Sequence, residues 1–276
     1  MNISWLESII YGFVAGLAEF LPISSEGHQH IMRYLFGEEH RDPVRDFFVH
    51  LGLLLCVLTC SRTLIEIIKR ERSYSARSRG SRQYPYRMRQ DAAYIKKAVL
   101  PFILSIILFL IFFNRNGSLL VTAFLFLING LIIFLPDRMM KGNKDASIMT
   151  PFDSILLGVS GGLSVFSGFS RFGCTYSVSV ARGASKNHAL TWSLLLSIPA
   201  LAFVCLLDVY AMFTEQTFSF WSNFLGYLFS GLTAYAGGYL SVSAVRSITS
   251  RTGLSAFAYY CWGIALLSFF IFLTVA

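Results

Sequence analysis

The chain has 276 residues, of which 55% are hydrophobic and only 14% are charged, whereas a soluble domain carries about 25% charged residues. Its formal net charge is +8, and Phe alone contributes 26 residues. Apolar surface is too abundant to be buried in one or two water-soluble cores. The composition therefore excludes an ordinary soluble fold and predicts an integral membrane protein.

Apolar stretches predict an all-helical, polytopic fold with six membrane-spanning helices in a single membrane domain, residues 1–276. A spanning helix needs about 20 mostly apolar residues. The stretches are 47–68, 98–113, 118–136, 188–208, 222–245 and 254–276.

The excess positive charge lies in one segment, because residues 69–97 hold ten Lys or Arg and only two acidic residues. Basic clusters of this kind stay on the cytoplasmic side and face anionic lipid headgroups. We therefore expect a basic cytoplasmic loop at 69–97 and no nucleic-acid partner. With six spans, both termini are then extracytoplasmic.

Two further apolar segments, 5–36 and 152–185, are interrupted by polar turns. Pro22 and the run Ser24–His28 break the first, and the run Ser167–Arg171 breaks the second. Irregular backbone at membrane depth needs cover from protein or water. We therefore predict two re-entrant helical hairpins whose broken tips line an internal cavity.

The two broken segments also align with each other. Shifted by 146 positions, residues 5–27 match residues 151–173 at eight of 23 pairs without a gap, which indicates an internal repeat. The matches in the polar turns are Ser24 with Ser170 and Gly27 with Gly173. Three predicted spans separate the copies, so we expect an inverted repeat, with units 1–136 and 151–276, whose broken tips meet near the membrane midplane.

This geometry would bring polar residues of both turns into one cavity, where ionisable groups indicate function because they are costly at membrane depth. The residues are Glu19, Ser24, Ser25, Glu26, His28 and Arg171. Ser25 and His28 are three residues apart, so an imidazole nitrogen can reach the serine hydroxyl, and a hydroxyl beside a base is the minimal activated nucleophile. Arg171 carries donors suited to phosphate oxygens.

Other residues of the turns have more than one reading. Glu19 is expected to orient the imidazole or to hold a divalent cation. Gly27 and Gly173 leave backbone amides open to an anion at helix starts. Helix packing is an alternative role for Ser24 and Ser170, and His28 taken alone is also typical of a core histidine. Arg171 has no such packing use.

At these residues the chain resembles the undecaprenyl-pyrophosphate phosphatase family of the bacitracin-resistance type. Residues 16–28, G-L-A-E-F-L-P-I-S-S-E-G-H, are similar to that family's G-L-T-E-F-L-P-V-S-S-T-G-H. Residues 167–175, S-G-F-S-R-F-G-C-T, are similar to its P-G-x-S-R-S-G-A-T. Residues 192–200, W-S-L-L-L-S-I-P-A, are similar to its F-S-F-L-L-A-I-P, so the resemblance covers nearly the whole chain.

The resemblance implies hydrolysis of the terminal phosphate of undecaprenyl pyrophosphate in a bacterial plasma membrane, usually with Mg2+ or Ca2+. The product is the monophosphate lipid carrier for cell-wall glycan synthesis. Carried over by position, Ser25 is the candidate nucleophile, His28 the acid or base, Glu19 the essential carboxylate and Arg171 the phosphate clamp. The implied substrate contacts are Ser24, Gly27, Ser170, Gly173 and Thr175.

The chain departs from the family pattern at four positions. Ala15 stands where the family commonly has a second glutamate on the same helix face. Ser167 and Phe172 replace a Pro and a Ser, and Cys261 replaces an Arg that commonly follows F-A-x-Y. If paired carboxylates hold the metal, losing one should weaken its binding or shift it to Glu26, which replaces a Thr.

Two other functions are compatible with these features. A transporter or flippase for the same lipid phosphate would also use inverted repeats and a midplane site. A scaffolding protein would explain the spans but would leave Arg171 without a use. Gly231 and Gly237–Gly238 are small residues that allow close helix packing, either in a homodimer or within one copy of the chain.

Overall fold

A computed structural model describes residues 5–38, 40–61, 86–112, 117–139, 142–144, 148–214 and 223–275. Within these ranges the chain is all-helical, as predicted, with ten α-helices and two short 3-10 helices, Pro136–Arg138 and Leu163–Val165. The α-helices are α1 (Trp5–Phe20), α2 (Ser25–Leu35), α3 (Pro43–Cys60), α4 (Tyr86–Phe112), α5 (Leu119–Phe134), α6 (Pro151–Gly162), α7 (Arg171–Ala181), α8 (Lys186–Thr214), α9 (Phe224–Arg251) and α10 (Ala256–Val275).

Four of the described helical stretches are long and apolar enough to cross a membrane. They are Pro43–Cys60, Leu119–Arg138, Lys186–Thr214 and Ala256–Thr274. These overlap four of the six spans predicted from the sequence. The chain is therefore a polytopic helical membrane protein.

The other two predicted spans, 98–113 and 222–245, fall on α4 and α9. Helix α4 begins at Tyr86, so residues 86–97 are helical and the basic loop ends earlier than expected. Residues 69–85 lie outside the described residues. The apolar part of α4, Lys97–Phe112, is shorter than the about 20 residues that a span needs, so the count of six spans stays a prediction.

The two broken segments have the predicted breaks, and each break ends in a helix that is capped by a serine. In the first, the break covers residues 21–24, and the polar residues 25–28 form the first turn of α2 instead of lying in the break. The Gly27 amide donates to Ser24 Oγ (3.1 Å), and the Gly173 amide donates to Ser170 Oγ (3.0 Å). Each serine thus caps its helix by satisfying an exposed N–H group. The opposite direction of the two segments stays a prediction.

Helix α9 packs closely on α1 and α3 through small residues. A Cβ added at Gly231 would lie 2.8 Å from the Phe48 carbonyl, and one at Gly237 would lie 2.9 Å from the Leu17 amide nitrogen. A Cβ at Gly238 would lie 3.1 Å from Cys56 Sγ. These glycines therefore serve packing within one copy of the chain, and the expectation of a homodimer has no support from them.

We predict that Gly16→Val destabilises the folded chain, because a Cβ at Gly16 would stand 2.9 Å from the Gly238 amide nitrogen. Overpacking of this kind costs about 1–3 kcal/mol. The measurement is the thermal unfolding midpoint in detergent. Gly263→Val is the matched control, because a Cβ there would meet no described atom within 4 Å. Equal midpoints for the two variants would contradict the close packing of α1 on α9.

Candidate active site

The two polar turns contact each other directly. The Gly168 amide donates to Ser24 Oγ (3.1 Å), and Ser170 Oγ donates to the Leu21 carbonyl (3.3 Å). A Cβ added at Gly173 would lie 2.8 Å from Pro22 Cβ. The two motifs, separated by more than a hundred residues in sequence, therefore form one site.

Ser24 is the central residue of this contact. It has a positive φ of 67°, the only such non-glycine value among the described residues. Its hydroxyl oxygen accepts from both the Gly27 and the Gly168 amides. A serine oxygen has two acceptor positions, and both are used by the backbone. The hydroxyl of Ser24 thus holds the turns together, which is the packing role that the sequence left open.

Asn129 of α5 connects the two turns a second time, and the sequence analysis missed it. Its Nδ2 donates to the Pro22 carbonyl (3.1 Å), and its Oδ1 accepts from the Ser170 amide (3.0 Å). Asn129 is fully buried. The available signal was a lone amide side chain in an otherwise apolar span, because polar groups in such spans usually bond to another helix.

Glu19 and Arg171 form an ion pair across the two turns. Arg171 Nη2 donates to Glu19 Oε1. Arg171 Nε is buried and has no hydrogen-bond partner among the described residues. The guanidinium therefore retains a donor beyond its bond to Glu19. The expectation that Glu19 orients His28 is wrong in this structure, since both imidazole nitrogens have other partners.

Ser25 and His28 do not bond to each other, contrary to their spacing. Ser25 Oγ donates to the Ala15 carbonyl (2.9 Å) and accepts from Gln29 Nε2 (3.1 Å). His28 Nδ1 lies 2.7 Å from the Ser24 carbonyl, and Nε2 lies 2.8 Å from Tyr260 Oη. The serine hydroxyl is thus bonded back to α1, while the imidazole is bonded to the turn and to α10.

Glu26 belongs to a separate polar network instead of the Glu19 site. Arg33 Nη2 donates to Glu26 Oε1 (3.2 Å), and Arg33 Nη1 donates to Tyr11 Oη (3.0 Å). Tyr11 Oη also lies 3.0 Å from Asp46 Oδ1 and 3.0 Å from Gln29 Oε1. This network reaches Ser25 through Gln29. The sequence feature that could have indicated this network is the four-residue spacing from Ser25 to Gln29, which places both side chains on one helix face.

The expected cation ligands do not come together. Among the described residues, no group of three or more His, Cys, Asp or Glu side chains is arranged to hold a metal ion. Glu19 bonds to Arg171, and Glu26 bonds to Arg33. The residues present therefore do not fit the Glu19 and Glu26 cation site expected from the sequence.

Three of the four departures from the family pattern are buried around the site. Ala15 supplies the carbonyl that accepts from Ser25, and Phe172 is fully buried, with its ring parallel to Tyr176. Cys261 Sγ donates to the Pro22 carbonyl (3.7 Å). These three residues occupy space around the two turns, and Ala15 and Cys261 also form hydrogen bonds to Ser25 and Pro22. Ser167 is half-buried in the second turn.

Thr175 is bonded to its own helix. Its hydroxyl donates to the Arg171 carbonyl (2.8 Å), one turn earlier in α7. The side chain is buried. The structure thus gives Thr175 a bond inside the helix that carries Arg171.

The fold and this site define a class of protein: a polytopic helical membrane protein in which two broken helical segments join an arginine, a glutamate and a histidine. A guanidinium with a buried, unused donor beside a helix start is typical of a site for an anionic group.

A family model described as bacitracin resistance protein BacA matches residues 8–267. The chain is 31% identical to an undecaprenyl-diphosphatase of Methanobrevibacter smithii over 275 residues, covering 96% of each chain. It is 30% identical to an undecaprenyl-diphosphatase of Carboxydothermus hydrogenoformans, covering 93% of each chain, and 29% identical to undecaprenyl-diphosphatase 3 of Bacillus cereus. The chain belongs to the BacA family.

We predict that Asn129→Leu destabilises the chain and lowers its activity, because it leaves the Ser170 amide without its partner and removes the closer of the two donors to the Pro22 carbonyl. Each buried polar group left unpaired costs about 1–3 kcal/mol. The measurement is the unfolding midpoint in detergent, with Asn187→Leu at an exposed position of α8 as the control. A midpoint for Asn129→Leu equal to that of the control would show that Asn129 does not hold the turns.

Proposed function

We propose that the chain hydrolyses the terminal phosphate of undecaprenyl diphosphate and releases undecaprenyl phosphate in the plasma membrane. The relatives reported above carry the name of this activity. The observation that carries the proposal is the Glu19–Arg171 ion pair, because it joins the two family motifs into one site. The substrate partner is then a polyprenyl diphosphate lipid of the surrounding membrane.

Arg171 is the group proposed to bind the terminal phosphate. Its buried Nε donor has no partner among the described residues, and a guanidinium matches the geometry of phosphate oxygens. Glu19 fixes the orientation of the guanidinium through Nη2. Donors held in place before the reaction stabilise the negative charge that develops on the phosphoryl group.

His28 is proposed as the acid-base group, acting through Nε2. In-line attack joins the nucleophile oxygen to the terminal phosphorus and breaks the bond from that phosphorus to the bridging oxygen. The bridging oxygen keeps the electron pair and leaves as part of undecaprenyl phosphate. The proton of the nucleophile passes to His28 Nε2.

The nucleophile is either Ser25 Oγ or a water molecule. Attack by Ser25 first requires release of its bond to the Ala15 carbonyl, which ties it to α1. Attack by Ser25 also forms a phosphoserine that water must then hydrolyse, whereas direct attack by water leaves the chain unmodified. Trapping labelled phosphate on the chain during turnover, with Ser25→Ala as the blank, distinguishes the two.

We also propose that phosphate release depends on Mg2+ or Ca2+, and the ground for this is the family resemblance alone. The carboxylates of Glu19 and Glu26, which were the expected cation ligands, accept hydrogen bonds from arginines. No step above therefore passes through a cation. The assay below, run with and without a chelator, measures this dependence separately from the roles of Arg171 and His28.

Transport of the same lipid without hydrolysis was the alternative function. The names of the relatives support the phosphatase and give this alternative no support. Tight binding of the diphosphate lipid without any phosphate release would favour transport over hydrolysis.

The membrane arrangement proposed here keeps six spans, an inverted repeat and both termini outside the cytoplasm. It is supported by four apolar spans, by the matching caps of Ser24 and Ser170, and by the contact of the two turns. Residues 69–85 would then be cytoplasmic. Labelling of cysteines introduced at the two ends of the chain in intact cells tests this arrangement.

We predict that the purified chain in detergent releases phosphate from undecaprenyl diphosphate and that Arg171→Ala nearly abolishes the release. Removing one such donor costs about 100-fold to 1,000-fold in kcat. Arg182→Ala is the matched control, because Arg182 lies at the other end of the same helix segment and pairs with Asp153. Full activity of Arg171→Ala would remove the phosphate-binding role. Failure of the unaltered chain to release phosphate would contradict the proposed function.

We predict that His28→Ala lowers kcat by about 100-fold or more, the usual contribution of a general acid or base. His30→Ala is the control on the same helix, since His30 Nδ1 bonds to Thr122 Oγ1 of α5 and not to the turns. The measurement is the rate of phosphate release at saturating lipid. Equal rates for the His28 and His30 variants would refute the acid-base assignment.

A further inference from the structure

The hydrogen bonds of His28 fix which nitrogen carries its proton. His28 Nδ1 lies 2.7 Å from the Ser24 carbonyl. A carbonyl can only accept, so Nδ1 carries a hydrogen, and Nε2 is the nitrogen whose protonation can change. The Ser24 carbonyl is itself held in place, because the Ser24 hydroxyl accepts from two backbone amides.

Nε2, the nitrogen whose protonation state can change, has Tyr260 of α10 as its hydrogen-bond partner. The distance from Nε2 to Tyr260 Oη is 2.8 Å. A tyrosine hydroxyl both donates and accepts. It can therefore donate to Nε2 of the neutral imidazole and accept from Nε2–H of the imidazolium, so His28 keeps a bonded partner in both protonation states.

Aromatic rings on two sides also restrict the His28 ring. The Phe126 ring meets it edge-on at 5.5 Å and 89°, and the Tyr260 ring lies nearly parallel to it at 5.7 Å and 9°. His28 is 7% exposed, whereas Tyr260 is exposed on the apolar helix α10. Tyr260 thus covers the imidazole on the side of α10.

The residue after Tyr260 fixes α10 against the first turn. Cys261 Sγ donates to the Pro22 carbonyl (3.7 Å) and accepts from Asn129 Nδ2 (3.4 Å). Because Cys261 is fully buried in this contact, the backbone that carries Tyr260 is held next to His28. The contacts of Cys261 therefore fix the position of the neighbouring tyrosine hydroxyl.

We propose that Tyr260 is a positioning residue that holds His28 Nε2 in the orientation needed for proton transfer. This inference rests on the proposed acid-base role of His28. Tyr260 acts through the imidazole: its hydroxyl donates to the Nε2 lone pair in the resting chain and fixes its direction. This bond gives way to the O–H of the nucleophile when the proton is transferred to Nε2. Loss of the hydroxyl should slow the chemical step and leave binding of the lipid nearly unchanged.

The test compares Tyr260→Phe with Tyr259→Phe, which removes the neighbouring hydroxyl. Tyr259 is exposed, and its ring packs on Phe134 and Trp262, away from His28. We expect Tyr260→Phe to lower kcat about tenfold, the equivalent of one hydrogen bond, with KM changed less than about twofold. Tyr259→Phe should leave both values within about twofold of the unaltered chain.

A spectroscopic readout separates positioning from a general structural effect and does not depend on activity. With 15N-labelled histidine, NMR should show Nδ1 protonated in the unaltered chain and in Tyr259→Phe, and a shifted Nε2 resonance in Tyr260→Phe. Unchanged His28 resonances and unchanged kcat in Tyr260→Phe would overturn the proposal. A shifted resonance in a chain that releases no phosphate would instead uphold the contact and refute the proposed function.

Discussion

The organising constraint is that backbone leaving a helix at membrane depth must find its hydrogen-bond partners within the protein. The two polar turns meet this constraint by satisfying each other. Ser24 accepts from the second turn, Ser170 donates to the first, and Asn129 bonds to both. Each turn thus depends on the other and on Asn129, which is why two distant motifs form one site.

Charged groups at membrane depth also need partners, and the two glutamates of the motifs each bond to an arginine. Glu19 pairs with Arg171 across the turns, and Glu26 pairs with Arg33 in the network behind Ser25. With Ala15 in place of a second glutamate, Glu19 is the carboxylate left to pair with Arg171. This pair leaves the Nε donor of the guanidinium unused, so that it stays available to an oxygen of an incoming phosphate.

Sequence reasoning reached the helical membrane fold, the two breaks and the meeting of the turns, because these follow from hydropathy, proline and the repeat of Ser and Gly. It failed where the partner of a side chain depends on three-dimensional detail. The three-residue spacing of Ser25 and His28 permits a bond between their side chains. In the structure the Ser25 hydroxyl bonds instead to the Ala15 carbonyl, and His28 Nδ1 bonds to the Ser24 carbonyl. The contact of Tyr260 with His28 could not be predicted from the sequence, because the two residues are 232 positions apart in the chain.

The most direct measurement of the central claim is an experimental structure in a lipid nanodisc with a non-hydrolysable diphosphate analogue of the lipid, in which a methylene group replaces the bridging oxygen. We expect the terminal phosphonate to accept hydrogen bonds from Arg171 while the two turns stay in contact, with His28 Nε2 facing the headgroup. A headgroup bound by one half of the chain alone, with Arg171 turned away from it, would contradict the account.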